Sequence, residues 1–297
     1  MQRARPPSTM LPTTQGARTA PVLRWRDGSS HALDDWVCEE VPVALEFNGI
    51  SHAVMLATPC DLEDFALGFG LSEGIFANAT ELYGCVLHAG GAGITVRMDV
   101  SARSFAGLKH RRRTLAGRTG CGVCGTESLA DVLRPVPAVS TGTQVQGEAI
   151  LRAMRSMKDR QTLNALTGSM HAAAWCNLDG DIQLLREDVG RHNALDKLVG
   201  ALARARFKVE KGFMAVTSRA SIEMVQKAAV AGSTLLAACS APTQLAVDAA
   251  RQAGMGLVGL VRQQGFVIYA HPDRIVLPSP VRRASSSYTA QPTAIST

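Results

Sequence analysis

The sequence predicts a mixed α/β protein, in which a smaller, strand-rich N-terminal domain precedes an α/β domain. Two patterns carry this prediction. From residue 171 onward, short apolar runs alternate with amphipathic helical stretches, which is typical of parallel strands with helices packed on the sheet. Before residue 101, Asn-Gly and glycine-rich breaks separate pairs of strand-like runs around one helical stretch. A length of 297 residues is enough for two domains with cores of their own.

The domain boundaries follow changes in composition. Residues 1–20 and 278–297 are rich in Pro, Ser, Thr and Ala with few large apolar side chains, so we expect two disordered tails. Between the tails we place an N-terminal domain over residues 21–145 and an α/β domain over residues 146–277. Residues 101–130 are basic and then glycine-rich without a convincing period, which predicts a long mobile loop.

The N-terminal domain is predicted to hold two strand pairs and one helix. Residues 41–59 indicate a hairpin that turns at Asn48-Gly49, a strong signal for a two-residue turn. Residues 60–76 place apolar side chains on one helical face, and residues 81–100 indicate a second strand pair split by glycines.

The α/β domain is predicted from a regular alternation of helix and strand patterns. A hairpin that turns at an Asp-Gly pair occupies residues 171–188. The predicted amphipathic helices cover residues 147–159, 190–205, 220–232 and 241–254. The other predicted strands cover residues 212–218, 234–240, 257–262 and 266–270.

Polar residues follow three of the predicted strands. Ligands of open α/β sheets collect beyond the carboxyl ends of the strands, and the N–H groups at helix starts there favour phosphate. The small donors and the one cation that follow the first two strands are Ser218, Arg219, Ser221, Ser240 and Thr243. They indicate either a site for a phosphorylated ligand or ordinary helix caps and loop residues.

Charge and composition exclude several classes of protein. The net charge of +6 includes +3 from Arg3, Arg5 and Arg18 and +2 from Arg282 and Arg283, which leaves +1 for the body, so we expect no nucleic-acid partner. No apolar run approaches the ~20 residues of a membrane span, and the N-terminus lacks a signal-peptide pattern. Seven cysteines, an odd number, suit a reducing cytoplasm rather than a disulfide scaffold.

The stretch RTGCGVCGTESL, residues 118–129, places Cys121 and Cys124 in a glycine-rich CxxC motif. A structural zinc site would need further spaced Cys or His ligands, which the sequence lacks, and a redox pair would need a buried strand before the motif. The nearby arginines of 111–113 and Arg118 stabilise thiolate over thiol. The local chemistry therefore favours a carrier of sulfane sulfur, with metal binding and disulfide cycling as the alternatives.

Several longer strings resemble one known family, the formate dehydrogenase accessory sulfur carriers of the FdhD family. Besides the CxxC motif, the strings that carry the resemblance are ATPCDLEDFALGFGLSEGIF (57–76), TGSMHAAAW (167–175), REDVGRHNALDKLVG (186–200), SRASIEMVQKA (218–228) and SAPTQLAVDAA (240–250). The resemblance spans about residues 38–277 and leaves both tails outside.

This resemblance implies a fold, a reaction and a set of site residues. The fold would be cytidine-deaminase-like without zinc ligands, in a homodimer, and no zinc is expected. Sulfur would pass from a cysteine desulfurase to a persulfide on Cys121, with Cys124 as its partner, and then to the bis-molybdopterin guanine dinucleotide form of the molybdenum cofactor, bound as substrate, before insertion into formate dehydrogenase. The implied cofactor-binding stretch is Leu260, Val261, Arg262, Gln263, Gln264 and Gly265.

The sequence thus predicts a cytoplasmic sulfurtransferase, with Ser218, Arg219 and Ser240 joining the cofactor-binding stretch. The alternative is a non-covalent chaperone that binds the molybdenum cofactor and delivers it to the apo-enzyme.

A separate polar cluster at a strand-to-helix turn has three open roles, namely lining the cofactor site, forming a dimer interface or capping a helix. Its members are Glu187, Asp188, Arg191, His192 and Asn193.

Overall fold

The computed structural model describes residues 13–115, 136–140 and 143–278 of the chain. Within these ranges it is a mixed α/β protein with seven α-helices and four sheets. The strands of the first half are β1 (Thr13–Thr14), β2 (Ala17–Arg26), β3 (Ser29–Cys38), β4 (Val41–Phe47), β5 (Ile50–Ala57), β6 (Leu82–Gly90) and β7 (Gly93–Val100). The helices of the first half are α1 (Leu62–Ser72) and α2 (Ala102–Leu115).

The second half begins with the short strand β8 (Val145–Gln146). Its other strands are β9 (His171–Asn177), β10 (Ile182–Asp188), β11 (Gly212–Val216), β12 (Leu235–Ala238), β13 (Gly256–Arg262), β14 (Gly265–Ala270) and β15 (Ile275–Val276). Its helices are α3 (Gly147–Arg160), α4 (Thr162–Thr167), α5 (Arg191–Arg204), α6 (Ile222–Val230) and α7 (Gln244–Ala253). None of the helices in these described ranges has the length and apolar character that a membrane span requires.

The predicted strand pairs of the first half form a four-stranded sheet in the order β5-β4-β7-β6. The β4–β5 hairpin turns at Asn48 and Gly49, both with positive φ, as the Asn-Gly signal predicts. The inner face of this sheet packs on α1, and Leu45, Phe47 and Phe65 are fully buried between them. Period-2 and period-3.6 patterns therefore located these elements correctly, because one face of each is buried.

The second half is built on a six-stranded sheet in the order β10-β9-β11-β12-β13-β14. Its centre, β11-β12-β13, is parallel as predicted, and the hairpins β9–β10 and β13–β14 make both flanks antiparallel. Alternate strand residues pack on α5, α6 and α7 on one face and on α3 on the other. The implied similarity to cytidine deaminases and the domain boundary at residue 145 stay predictions.

Helices α1 and α5 join the two halves by an unusually close crossing. Gly68 of α1 faces the backbone of Asp196, and Gly200 of α5 faces the backbone of Asp64. A β-carbon at either glycine would collide with a backbone carbonyl of the opposite helix. The two glycines therefore permit an approach that no other residue allows.

The prediction of a loop over residues 101–130 is wrong for its first half, where α2 runs from Ala102 to Leu115. The Ser101 hydroxyl accepts a hydrogen bond from the Ser104 N–H at 3.1 Å, and Ser104 and Leu108 are buried. Ser104 therefore occupies an inward-facing position of α2, and its hydroxyl donates a hydrogen bond to the Glu81 carboxylate. This polar inward contact hides the helical period from an analysis based on apolar residues.

The prediction of a disordered tail over residues 1–20 is wrong for residues 13–20, which lie in β1 and β2. Strands β2 and β3 pair antiparallel without a break from Ala17↔Cys38 to Arg26↔Ser29. This hairpin escaped the sequence analysis because most of its outer half is exposed, so burial imposes little pattern on it. Residues 1–12 and 279–297 of the two predicted tails lie outside the described ranges.

Candidate functional site at the carboxyl edge of the six-stranded sheet

The carboxyl ends of β10, β11, β12 and β13 lie along one edge of the six-stranded sheet, because these four strands run in the same direction. The loops that follow β11 and β12 and the last part of β13 contact one another directly. The Ser240 N–H donates to the Ser218 carbonyl at 3.3 Å, and the Leu260 N–H donates to the Ser240 carbonyl at 3.2 Å. The structure therefore joins the three stretches that the sequence analysis had placed at one edge.

The loop after β11 contributes one exposed cation and one buried hydroxyl. The Ser218 side chain is 5% exposed, and its hydroxyl donates to the Arg219 carbonyl at 2.9 Å. The Arg219 side chain is exposed, while Ala220 is buried and forms a parallel bridge with Pro242 of the next loop. Ser218 therefore holds its own loop in shape, and Arg219 is the residue of this loop placed to meet an anion.

The residues of the stretch 260–265 differ in backbone conformation and in burial. Leu260 has a φ of 52°, at an irregularity of the β13–β14 pairing, and Val261 is 1% exposed within the core between the sheet and α3. Gln263 and Gln264 form an exposed turn that leads to Gly265. Any contact of Val261 with a ligand would therefore involve its backbone rather than its side chain.

Arg262 reaches across the edge to Cys239, the residue that follows β12. Its Nη1 donates to the Cys239 carbonyl at 2.6 Å and lies 3.2 Å from the Cys239 Sγ. A guanidinium presents five N–H donors, so this contact leaves further donors for an anionic ligand. The sequence analysis did not single out Cys239, although its position directly after an apolar strand was a usable signal.

Three helices begin at this edge, α5 after Gly190, α6 after Ser221 and α7 after Thr243. A side-chain cap is present only on α7 among these three, where the Thr243 hydroxyl accepts from the Ala246 N–H at 3.3 Å. At α6 the Glu223 carboxylate of the first turn accepts from its own N–H, whereas α5 has no acidic residue in its first turn. N–H groups without a side-chain cap and the helix dipole favour anions. Helix starts and arginines therefore give this edge the electrostatics of a phosphate site.

Two histidines accompany Arg191 at the same edge. Burial, and then the charges of Arg191 and Lys227, lower the pKa of His192 to about 4, and its Nε2 lies 3.9 Å from the Glu223 carboxylate. Burial, and then the charge of Arg191, also lower the pKa of His171. His192 is therefore neutral at pH 7, and it can exchange hydrogen bonds with a ligand without adding a positive charge.

A fully buried ion pair lies beneath this edge. The Lys197 ammonium is 2.7 Å from the Asp188 carboxylate, and both side chains are 0% exposed. Asp188 also accepts from the N–H groups of Thr58 and Gly190 and from the Asn193 amide, at 2.8 to 3.0 Å. The pair therefore ties the segment after β5 to the start of α5.

A second buried cluster links three helices. The Lys227 ammonium of α6 contacts both carboxylate oxygens of Asp196 at 2.9 and 3.0 Å, and the Ser72 hydroxyl and the Glu73 carboxylate at 2.9 Å. The carboxylate of Glu187, in contrast, caps α4 through the N–H groups of residues 163 and 164 at 2.9 and 2.8 Å. The charged residues of the string EDVGRHNALDKL are thus mostly structural, and Arg191 and His192 are the two placed at the edge.

Cys121 and Cys124 lie outside the described residues. Among the five described cysteines, burial raises the pKa of Cys60, raises that of Cys85 to about 11 and raises that of Cys176 to about 12. Since the thiolate is the nucleophile, these three thiols are poor sulfur acceptors at neutral pH. In the described ranges, no three His, Cys, Asp or Glu side chains lie together in a way that would hold a metal ion.

Comparison with known proteins adds the following similarities. The model of the FdhD/NarQ family matches residues 38–276. The chain is 55% identical over 271 residues to a sulfur carrier protein FdhD of Variovorax paradoxus, covering 91% of this chain and 95% of that protein. It is 52% identical over 268 residues to the protein of the same name from Bordetella petrii, covering 90% and 96%. A crystal structure of a candidate formate dehydrogenase accessory protein from Desulfotalea psychrophila is similar in fold, with a TM-score of 0.71, 22% identity and coverage of 88% of this chain and 100% of that one.

Proposed function

This chain belongs to the FdhD/NarQ family, and from that membership we propose that it is a sulfur carrier required for formate dehydrogenase activity. The observation that carries the proposal is the identity of about half of all residues, along nine-tenths of the chain, with proteins named as sulfur carriers. In this role the protein serves a formate dehydrogenase in the cytoplasm.

The carrier group that we propose is Cys121. Its thiolate attacks the outer sulfur of a cysteine desulfurase persulfide, so that a new S–S bond forms on Cys121, the donor S–S bond breaks and the donor cysteine leaves as a thiolate. Attack by Cys124 on the inner sulfur of Cys121 then releases hydrosulfide and leaves a disulfide, which a thiol reductant reopens. The raised pKa values of Cys60, Cys85 and Cys176 support this choice, because those thiols remain protonated.

The recipient that we propose is the bis-molybdopterin guanine dinucleotide cofactor, bound as substrate at the carboxyl edge of the six-stranded sheet. Two features support this assignment, the start of α5 without a side-chain cap and the cations Arg219 and Arg262. Phosphates of a dinucleotide suit both features. Ser218 and Ser240 shape the loops, and the turn formed by Gln263 and Gln264 offers amides to a base or sugar.

Helix α2 supports a docking role for the basic run at residues 109–113. This run occupies the C-terminal part of α2, the end that leads toward Cys121. Four of the five residues in this run are arginine or lysine, and the run ends eight residues before Cys121 in the sequence. A positive run of this kind attracts an acidic surface of a donor protein and the anionic cofactor. We further propose that the carrier is a homodimer.

The test is the intact mass of the protein after incubation with a cysteine desulfurase and cysteine. We expect a gain of one sulfur, about 32 Da, that reductant removes and that Cys121→Ala abolishes. Cys239→Ala, which removes a half-buried thiol at the proposed cofactor site, is the matched control and keeps the gain. No gain with an active desulfurase, together with retained binding of guanosine diphosphate, would replace this proposal with a non-covalent chaperone of the molybdenum cofactor.

A further inference from the structure

A carboxylate lies among the arginines at the carboxyl edge of the six-stranded sheet. Glu223 is the second residue of α6, and its side chain is 47% exposed. The exposed cations of this edge, Arg219 and Arg262, belong to the loop before α6 and to the end of β13. Within the described ranges, the ion-pair partner within 4 Å of Glu223 is His192, whose Nε2 lies 3.9 Å away, beyond hydrogen-bond distance. No described lysine or arginine therefore neutralises this carboxylate by direct contact.

Glu223 is an ionised acceptor at neutral pH. Burial raises the pKa of its carboxyl group, but the Ser221 hydroxyl, the N–H of Glu223 itself and the neighbouring His192 and Arg191 outweigh burial, so the pKa lies below its usual value. An ionised carboxylate only accepts hydrogen bonds, at about four lone-pair positions, and the N–H of Glu223 occupies one of them. Acceptor positions therefore remain for the donors of a ligand.

The other described carboxylates near this edge already have partners. Asp188 is fully buried in its ion pair, and Glu187 caps α4. Asp248, in the second turn of α7, accepts from the Gln244 amide at 3.0 Å and pairs with an arginine of its own helix. Among these carboxylates, Glu223 is the one that is both accessible and free to accept from a ligand.

We propose that Glu223 determines base specificity at this site, by accepting hydrogen bonds from the ring N1–H and the exocyclic N2 amine of guanine. These two donors are adjacent on guanine and point in the same direction, and the two oxygens of a carboxylate match them. Adenine instead presents an acceptor at N1, which a carboxylate repels. The inference rests on the proposed function, because it requires the guanine dinucleotide to bind at this edge.

The strand order places Glu223 at a suitable separation from the cation that would meet a phosphate. Helix α6 follows β11, and Arg262 ends β13, two strands away, which corresponds to about 10 Å across the sheet. A nucleoside diphosphate has a comparable length from its base edge to its phosphates. Because phosphates are repelled by a carboxylate and attracted by a guanidinium, the base lies at Glu223 and the phosphates at Arg262. This orientation leaves the turn of Gln263 and Gln264 for the sugar.

The test is calorimetric binding of guanosine, inosine and adenosine diphosphates to the native chain and to Glu223→Gln. Inosine diphosphate differs from guanosine diphosphate only in lacking the N2 amine. We expect the native chain to prefer guanosine over adenosine diphosphate about ten- to hundredfold, with inosine diphosphate between them. In Glu223→Gln the preference for guanosine over inosine diphosphate approaches one, and the preference over adenosine diphosphate falls at least about tenfold.

Two control variants separate base recognition from other effects. Asp248→Asn removes a different exposed carboxylate, in α7, and keeps the native preferences. Arg262→Ala weakens the binding of all three nucleotides alike, because it acts on the phosphates that they share. Far-ultraviolet circular dichroism confirms folding. Glu223→Asp, which withdraws the carboxylate by one methylene, replaces a Glu223→Gln variant that fails to fold, with the same expected fall in guanine preference.

Two results would overturn the inference alone. One is a Glu223→Gln variant that keeps the native preference for guanine. The other is a variant that binds all three nucleotides more tightly with unchanged ratios, because Glu223 would then only repel phosphate. A native chain that binds none of the three nucleotides would refute the cofactor site proposed above, and this inference with it.

Discussion

Replacing Lys197 with Met tests whether the buried ion pair beneath the carboxyl edge holds the site together. Methionine keeps the length of the lysine stem and removes only the ammonium group. The substitution leaves the Asp188 carboxylate buried without its ion-pair partner, whose ammonium lies 2.7 Å away at 0% exposure. The Thr58 carbonyl, 3.0 Å from the ammonium, loses this donor and keeps the N–H of Cys60 at 2.8 Å.

The expected cost is large. Removing one partner of a buried ion pair costs about 3–5 kcal/mol, because it leaves an uncompensated buried charge. Three other donors still reach Asp188, from Thr58, Gly190 and Asn193, so we expect the lower part of that range. A loss of about 3 kcal/mol is a large share of the about 5–15 kcal/mol by which a domain is stable.

The assay is urea unfolding followed by circular dichroism on four proteins, the native chain, Lys197→Met, Asp188→Asn and the double variant. Because the double variant removes both charges, we expect it to lose much less than the sum of the two single losses, with a coupling energy of about 2 kcal/mol. Glu148→Gln, which removes one charge of an exposed pair with Arg155, is the control and changes stability by less than about 0.5 kcal/mol. A Lys197→Met loss below about 1 kcal/mol, or strictly additive losses, would refute the reasoning.

Three further predictions follow from the same structure. Gly200→Ala at the α1–α5 crossing destabilises the protein by at least about 2 kcal/mol, because the new β-carbon collides with the backbone of α1. Gly107→Ala, whose β-carbon enters open space on α2, is the control and is neutral or stabilising. Equal unfolding midpoints of the two variants in urea would contradict this prediction. The unfolded chain protonates His192 below about pH 6.5, whereas the folded chain does so only near pH 4. Stability therefore falls as the pH falls through this window. His192→Gln removes about 1–2 kcal/mol of this pH-dependent loss of stability, after discounting for the 31% exposure of the side chain. Thermal midpoints that are the same at pH 5 and pH 7, in both the native chain and the variant, would count against the prediction. Arg262→Ala weakens the binding of guanosine diphosphate, measured by calorimetry, about tenfold. Replacing the exposed Arg251 with Ala is the control and leaves the affinity unchanged. An unchanged affinity of Arg262→Ala would show that Arg262 does not belong to the site.

Sequence patterns located most elements whose burial is one-sided. The Asn48-Gly49 turn, the apolar face of α1 and the alternation from β9 to β14 are local signals, because each depends on residues within about one element length. The same patterns failed for the β2–β3 ribbon, which is exposed on both faces over its outer half, and for α2, where Ser104 occupies an inward position. Where burial does not sort side chains by polarity, a pattern based on polarity has nothing to detect.

The sequence by itself determined the family, the mixed α/β class and the convergence of three strand-end loops at one edge. It also singled out Cys121 and Cys124 by their spacing. Tertiary structure alone decided which charges are structural, since Asp188, Lys197 and Asp196 acquire partners more than 120 residues away, at Thr58 and Ser72. Local sequence records the presence of such charges, whereas their partners, and therefore their energies, exist only after the chain has brought α1, α5 and the sheet together.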